Sequence, residues 1–157
     1  MTFESRSPEE TFALGVALGK RLRAGDFVGL VGDLGAGKTQ FVRGVAEGAG
    51  VPRAEVSSPT FAIVQPYAGR LTLHHADLYR LETADELYAT GYFDLLDGDG
   101  ALLVEWVDRI AAAVPADALI LSFSAPGETL RRLQAAVTGS RSAALLAVWE
   151  EAVADRG

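Results

Sequence analysis

The sequence predicts an α/β fold: a mostly parallel mixed sheet that carries an antiparallel hairpin and is flanked by helices. Three observations lead there. Short apolar runs alternate with stretches of helical periodicity along the chain. A glycine-rich segment, Gly32 to Thr39, lies directly between the first of those runs and a helix. Two further runs, Phe61–Gln65 and Leu71–His75, flank a turn at Gly69, as the arms of a hairpin would.

The elements follow in order. Ser7-Pro8 offers a helix N-cap with proline at the first helical position, and Glu10 stands where a capping box places its acid. Phe12, Leu14, Val16, Ala17 and Leu22 continue that helix toward Ala24-Gly25. Phe27–Val31 is long enough for a buried strand and too short for a helix. Phe41, Val42, Val45 and Ala46 give helical spacing from Lys38 to about Gly48, where glycine and Pro52 end it. After the hairpin, a short helix is expected over Thr83–Tyr88, a turn-rich stretch over Gly91–Gly100, and strands at Ala101–Trp106, Leu119–Phe123 and Leu130–Val137. A helix over Ser142–Val153 closes the chain.

At 157 residues the chain is expected to form one domain over 1–157, and 49% hydrophobic with 22% charged residues is the make-up of a globule. Without cysteine it can build neither a disulfide framework nor a Cys-based zinc site. No apolar run nears the roughly 18 residues of a membrane span. Met1–Glu10 is polar and acidic, unlike a secretory signal, so a cytoplasmic location and no membrane partner are expected. The net charge of −7 argues against autonomous tight binding to nucleic acid, which runs on basic faces and counterion release.

Gly32-Asp33-Leu34-Gly35-Ala36-Gly37-Lys38-Thr39 matches G-x-x-x-x-G-K-[ST] without a departure. Glycines let such a loop wrap a phosphate chain so that successive backbone N–H groups point inward. Lys38 would reach the β- and γ-phosphates, the Thr39 hydroxyl would meet Mg²⁺, and the helix beneath adds its positive end. The expected class is therefore a P-loop NTPase using ATP and Mg²⁺. The chain has no asparagine, so it lacks the N-K-x-D element by which most GTPases read guanine.

Such a site also needs carboxylates for the metal and for the attacking water. Asp77 and Glu105 both stand at strand ends, where open α/β sheets place ligands, and either could contact the metal. Thr60, after Pro59, is a candidate switch residue sensing the γ-phosphate. His74 and His75 point to opposite faces of one strand and cannot form a zinc site together. Trp106 reads as a core or rim residue. Arg80 is the best internal candidate for an arginine finger, and its weakness implies slow turnover without a partner.

Together with Ser58-Pro59-Thr60-Phe61, His75-Ala76-Asp77-Leu78-Tyr79-Arg80-Leu81 and Leu103-Val104-Glu105-Trp106, the glycine loop resembles the TsaE (YjeE) family over about Thr11–Trp106. Glu86-Leu87 and Gly91 also fit its pattern; Ala76 and Gln40 depart from it, replacing a usual aromatic and a common threonine. The resemblance implies a bacterial ATPase needed for threonylcarbamoyladenosine in tRNA, working with TsaD, which performs the transfer, and TsaB. It implies contact with tRNA only through that complex. It further implies catalytic roles for Lys38, Asp77 and Glu105, with metal contacts from Thr39 and the two acids. Nucleotide contacts would come from residues 33–40, including Gln40, from Thr11 near the adenine, and from Arg132 as a neighbour. Two other readings are a nucleotide-dependent binding module with little turnover and a small-molecule phosphotransferase. The basic stretch Arg131-Arg132 to Arg141 is thin for the lid that the latter would need.

Overall fold

A computed structural model describes residues 1–32, 36–56 and 64–155. Seven strands, β1 (Thr2–Ser5), β2 (Phe27–Gly32), β3 (Val64–Ala68), β4 (Thr72–Asp77), β5 (Ala101–Glu105), β6 (Leu119–Ser124) and β7 (Arg131–Val137), form one sheet in the order β1-β7-β6-β2-β5-β4-β3. The central strands β6, β2, β5 and β4 run parallel. Antiparallel pairs finish both sides, β3 on β4 and β6–β7–β1 on the other. The helices are α1 (Pro8–Gly19), α2 (Lys38–Gly48), α3 (Ala84–Ala89), α4 (Tyr92–Leu95) and α5 (Ser140–Ala154). The α/β class and the expected hairpin are thus observed. Among the described residues no helix is long and apolar enough to cross a membrane.

The uninterrupted apolar runs are the central strands because both of their faces are covered. Successive residues of β5 enter different cores: Leu103 joins Val28, Leu30, Phe41 and Trp149, while Leu102 and Val104 join Phe27, Tyr92 and Val107. The first core lies beneath α1, α2 and α5, the second beneath the segments that follow β4 and β5. Sheet polarity then sends the ends of β2, β4 and β5 toward one rim.

Local chemistry explains the element ends. Ser7 Oγ accepts the backbone N–H of Glu10 at 3.1 Å, and the Glu10 carboxylate reaches back to the N–H of Arg6. The far end of α1 falls short of the expected Ala24-Gly25. It stops at Gly19 because Arg70, from the β3–β4 turn, takes over its terminal carbonyls, donating to Gly19 O at 2.8 Å and Leu22 O at 3.1 Å. Two elements go beyond the sequence reading. β1 is a four-residue edge strand anchored by Phe3, whose ring lies 4.1 Å from that of Trp149. The turn-rich stretch after Gly91 contains α4, fixed where the buried Tyr92 hydroxyl donates to Ala113 O at 2.6 Å.

Helices α1 and α2 touch backbone to backbone. Gly15 and Gly19 on one face Gly44 and Gly48 on the other. A Cβ at any of the four would stand 2.1–2.3 Å from a carbonyl oxygen of the opposite helix. No rotamer relieves a clash with backbone, so a methyl group here must push the helices apart. Gly44→Ala is expected to lose at least about 2 kcal/mol, which lowers Tm by roughly 4–8 °C in a chain of this size. Thermal denaturation followed by circular dichroism measures it, with exposed Ala→Gly changes as the scale.

Candidate functional site

The rim where β2, β4 and β5 end borders a cleft of about 720 Å³. On its floor β2 ends at Gly32 and α2 starts at Lys38, with Gly37 as cap in the left-handed region at φ 97°. That conformation favours glycine, and it leaves the first N–H groups of α2 without a side-chain cap. Lys38 is buried; its ammonium donates to the carbonyl of Gly32 and sits 3.9 Å from the ring centre of Trp106. Thr39 and Gln40 line the cleft beside it.

The two acids converge as well. Asp77 and Glu105 are register partners at the ends of the parallel strands β4 and β5, and both face the cleft. Burial pushes the Asp77 carboxyl above its ordinary range; the N–H of Tyr79, bonded at 3.0 Å, works against this, and the Glu105 charge adds to it. Two residues before Asp77 on the same face of β4, His75 lies within 2.7 Å of Glu105, from Nε2 to Oε2.

Trp106 follows Glu105 in the left-handed region at φ 58°, unlike every other described residue except glycine. This backbone reversal swings the indole under Lys38 rather than along the strand. Tyr79 packs against the outer part of Trp106 at 4.9 Å between ring centres, and the Arg109 guanidinium stands 5.5 Å from Tyr79. Trp106 is therefore a wall of the cleft, not merely core or rim.

The remaining expected residues sort by position. Thr11 is buried at the cleft edge near Gly37, its hydroxyl 2.7 Å from that of Ser5. Ala36 is packed into the core below. Arg132 is not brought to the cleft: it pairs with Glu4 across β1 at 3.1 Å. Its neighbour Arg131 lines the cleft instead, because adjacent strand residues point to opposite faces. Arg131 props the preceding turn by donating to the carbonyls of Gly127, Glu128 and Leu130. Arg80 is exposed and is not among the residues lining the cleft. Asp33, Leu34, Gly35 and Thr60 lie outside the described residues. Sequence reasoning missed His75 and Arg131 as members of the site; the signal for His75 was its two-residue spacing from Asp77.

Chemically, the cleft offers a cation, a helix start and a pair of carboxylates, a set suited to a phosphate chain and a hard divalent ion. Thr39, Asp77 and Glu105 supply the oxygen donors magnesium prefers. Among the described residues no group of three His, Cys, Asp or Glu forms an all-protein metal cage. Magnesium, which is commonly held by one or two carboxylates with water and phosphate, fits this sparse donor set.

A family model described as threonylcarbamoyl adenosine biosynthesis protein TsaE matches residues 5–133. The chain belongs to the TsaE family. The tRNA threonylcarbamoyladenosine biosynthesis protein TsaE of Treponema pallidum is 41% identical over 111 residues, 71% of this chain and 82% of that relative. Its Bacillus subtilis namesake is 40% identical over 136 residues, 86% and 84% of the two chains. A crystal structure of Bacillus subtilis YdiB superposes with a TM-score of 0.80 at 30% identity, covering 100% of this chain and 96% of that one. The TsaE match spans the cleft from Arg6 to Arg131, whereas helix α5 lies beyond it. By family, the chain takes part in making threonylcarbamoyladenosine in tRNA.

The Asp77 shift bears on the stability of the metal-free chain. The unfolded chain releases this proton at the ordinary carboxylate pKa and the folded chain only at a higher pH. Folded protein then holds more protons between the two, so stability falls as pH rises through that window and stays lower above it. Asp77→Asn is expected to raise Tm at pH 7 without Mg²⁺, and the gain should shrink as pH drops into the ordinary carboxylate range. Melting curves of both proteins against pH provide the check.

Proposed function

We propose that this TsaE chain binds Mg-ATP in the cleft and hydrolyses it, as the ATP-dependent subunit of threonylcarbamoyladenosine synthesis acting with TsaB and TsaD. The observation that carries this reading is the meeting, in one cleft, of Lys38 and Thr39 at the start of α2 with Asp77 and Glu105 at the ends of β4 and β5. In hydrolysis a water oxygen bonds to the γ-phosphorus while the bond to the β–γ bridging oxygen breaks, giving ADP and phosphate. Protein contributes to that reaction mainly by positioning and charge.

Each residue then has a task. Lys38 exchanges the Gly32 carbonyl for β- and γ-phosphate oxygens, with the amides at the start of α2 beneath them. Thr39 and Asp77, with Glu105 reaching the ion through a bound water, would hold Mg²⁺, which when bound neutralises phosphate charge. Glu105 is also the carboxylate placed to orient the attacking water and accept its proton. Thr11 and Gln40 lie along the same side of the cleft as Gly37, suited to the nucleotide beyond its phosphates.

Partners enter through the γ-phosphate end. Arg80 does not line the cleft, whereas Arg6, Arg43 and Arg131 do, and TsaB–TsaD would act by bringing one of these, or an arginine of their own, to the γ-phosphate. The acidic balance of the chain supports contact with tRNA only through the TsaB–TsaD complex.

Lys38→Ala is expected to abolish ATP and ADP binding in isothermal titration calorimetry; unchanged affinity would refute the assignment of the cradle. Glu105→Gln should keep ADP affinity within about threefold yet lose about 100-fold or more in phosphate release, measured with and without TsaB–TsaD. Should that variant still support full tRNA modification, nucleotide binding without turnover would be the better account.

A further inference from the structure

We propose that His75 is a positioning residue for the reaction, holding Glu105 by a hydrogen bond from Nε2 so that one carboxylate oxygen stays aimed at water. The inference rests on the ATP-hydrolysing reading above and assigns a further residue to it.

The placement of His75 is unusual for its chemistry. It is 2% exposed on β4, standing across from Leu103 of β5 and Gln65 of β3, with the Tyr67 ring packed 6.0 Å away. An aliphatic side chain would fill such a place without any polar atom to satisfy. Among the described residues the ring has one hydrogen bond, the 2.7 Å contact to Glu105 Oε2, and its buried Nδ1 has none. A buried polar ring whose single satisfied atom meets a cleft carboxylate is placed for that carboxylate.

The unpartnered nitrogen also decides the direction of the bond. A proton on Nδ1 would be a buried donor with no acceptor, the more costly arrangement, so the proton belongs on Nε2 and is donated to Glu105. Oε2 is thereby committed. Oε1 keeps no hydrogen bond among the described residues and is the oxygen left to receive a proton from water.

Glu105 needs such a restraint. Its register partner Asp77 places a second carboxylate at the same rim, and like charges drive the longer, three-torsion Glu105 side chain away. The Nε2–H donor opposes that drift from the same face of β4 that presents Asp77. Freed from it, Glu105 would sample other rotamers, and misplacement of a reacting group by about 1 Å can cost on the order of 100-fold in rate.

The test compares His75→Leu, His75→Gln, Glu105→Gln and the double variant His75→Leu/Glu105→Gln in steady-state ATP hydrolysis with TsaB–TsaD. ADP affinity and Tm are measured alongside. His75→Leu is expected to lower kcat about 10- to 100-fold, with KM and ADP affinity within about twofold. His75→Gln, whose amide nitrogen falls near the lost Nε2, should recover most of the rate. Removing His75 should cost nothing further once Glu105 is Gln, since the two act as one unit. Long-range ¹H–¹⁵N spectra of the wild-type chain should show the Nε2–H tautomer, which keeps the proposal testable if His75→Leu does not fold. Unchanged kcat in His75→Leu, full additivity in the double variant, or an Nδ1–H tautomer would overturn the role of His75 while leaving ATP hydrolysis standing. A wild-type protein with no turnover in the complex would instead sink both readings.

Discussion

The site depends first on how closely α1 and α2 approach. Four glycines let carbonyl oxygens of one helix lie where side chains of the other would begin, so the pair behaves as one body. Because α2 opens at Lys38 and α1 carries Thr11, this contact sets how Thr11 stands against Gly37 at the border of the cleft. Trp149 extends the clamp by donating from its indole to Leu14 O at 3.0 Å, tying α5 to the same helix. A contact of this kind tolerates no gradual adjustment, because backbone atoms have no rotamers.

Against this rigid side stands a charged one. Asp77 and Glu105 meet at adjacent strand ends, and Lys38 is the buried cation facing them. Arg6, Arg43, Arg131 and Glu128 also line the cleft, so cations and carboxylates face one another across it. The aromatic stack below Lys38 holds that cation differently: an indole face attracts the ammonium without neutralising its charge.

Much of this was readable in the residues, for reasons that differ between elements. Phe27–Val31 and Ala101–Val104 announce themselves because strands covered on both faces are apolar throughout. Lys38, Thr39, Asp77 and Glu105 were found because a fixed motif and strand-end acids leave local traces. β1 left none: four residues with a single buried aromatic, Phe3, are held by pairing to a strand some 130 positions away. The choice between Arg131 and Arg132 turned on parity alone. In a half-exposed strand with arginine at both places, no apolar alternation tells which one faces the cleft. His75 was seen as a histidine unable to form a zinc site with its neighbour; its partner, Glu105, becomes visible only when β4 and β5 are laid side by side.

Arg70 has a role that reaches past the end of α1. Besides holding the carbonyls of Gly19 and Leu22, its own N–H donates to Ala49 O at 2.7 Å, so the tip of the β3–β4 hairpin is fastened to the last turns of both glycine-packed helices. The strand that delivers His75 and Asp77 is therefore indexed to the helix pair by a direct strut, independent of the stretch of polypeptide connecting α2 to β3. Loosening that strut would therefore shift His75 and Asp77, which β4 brings to the cleft, relative to the start of α2.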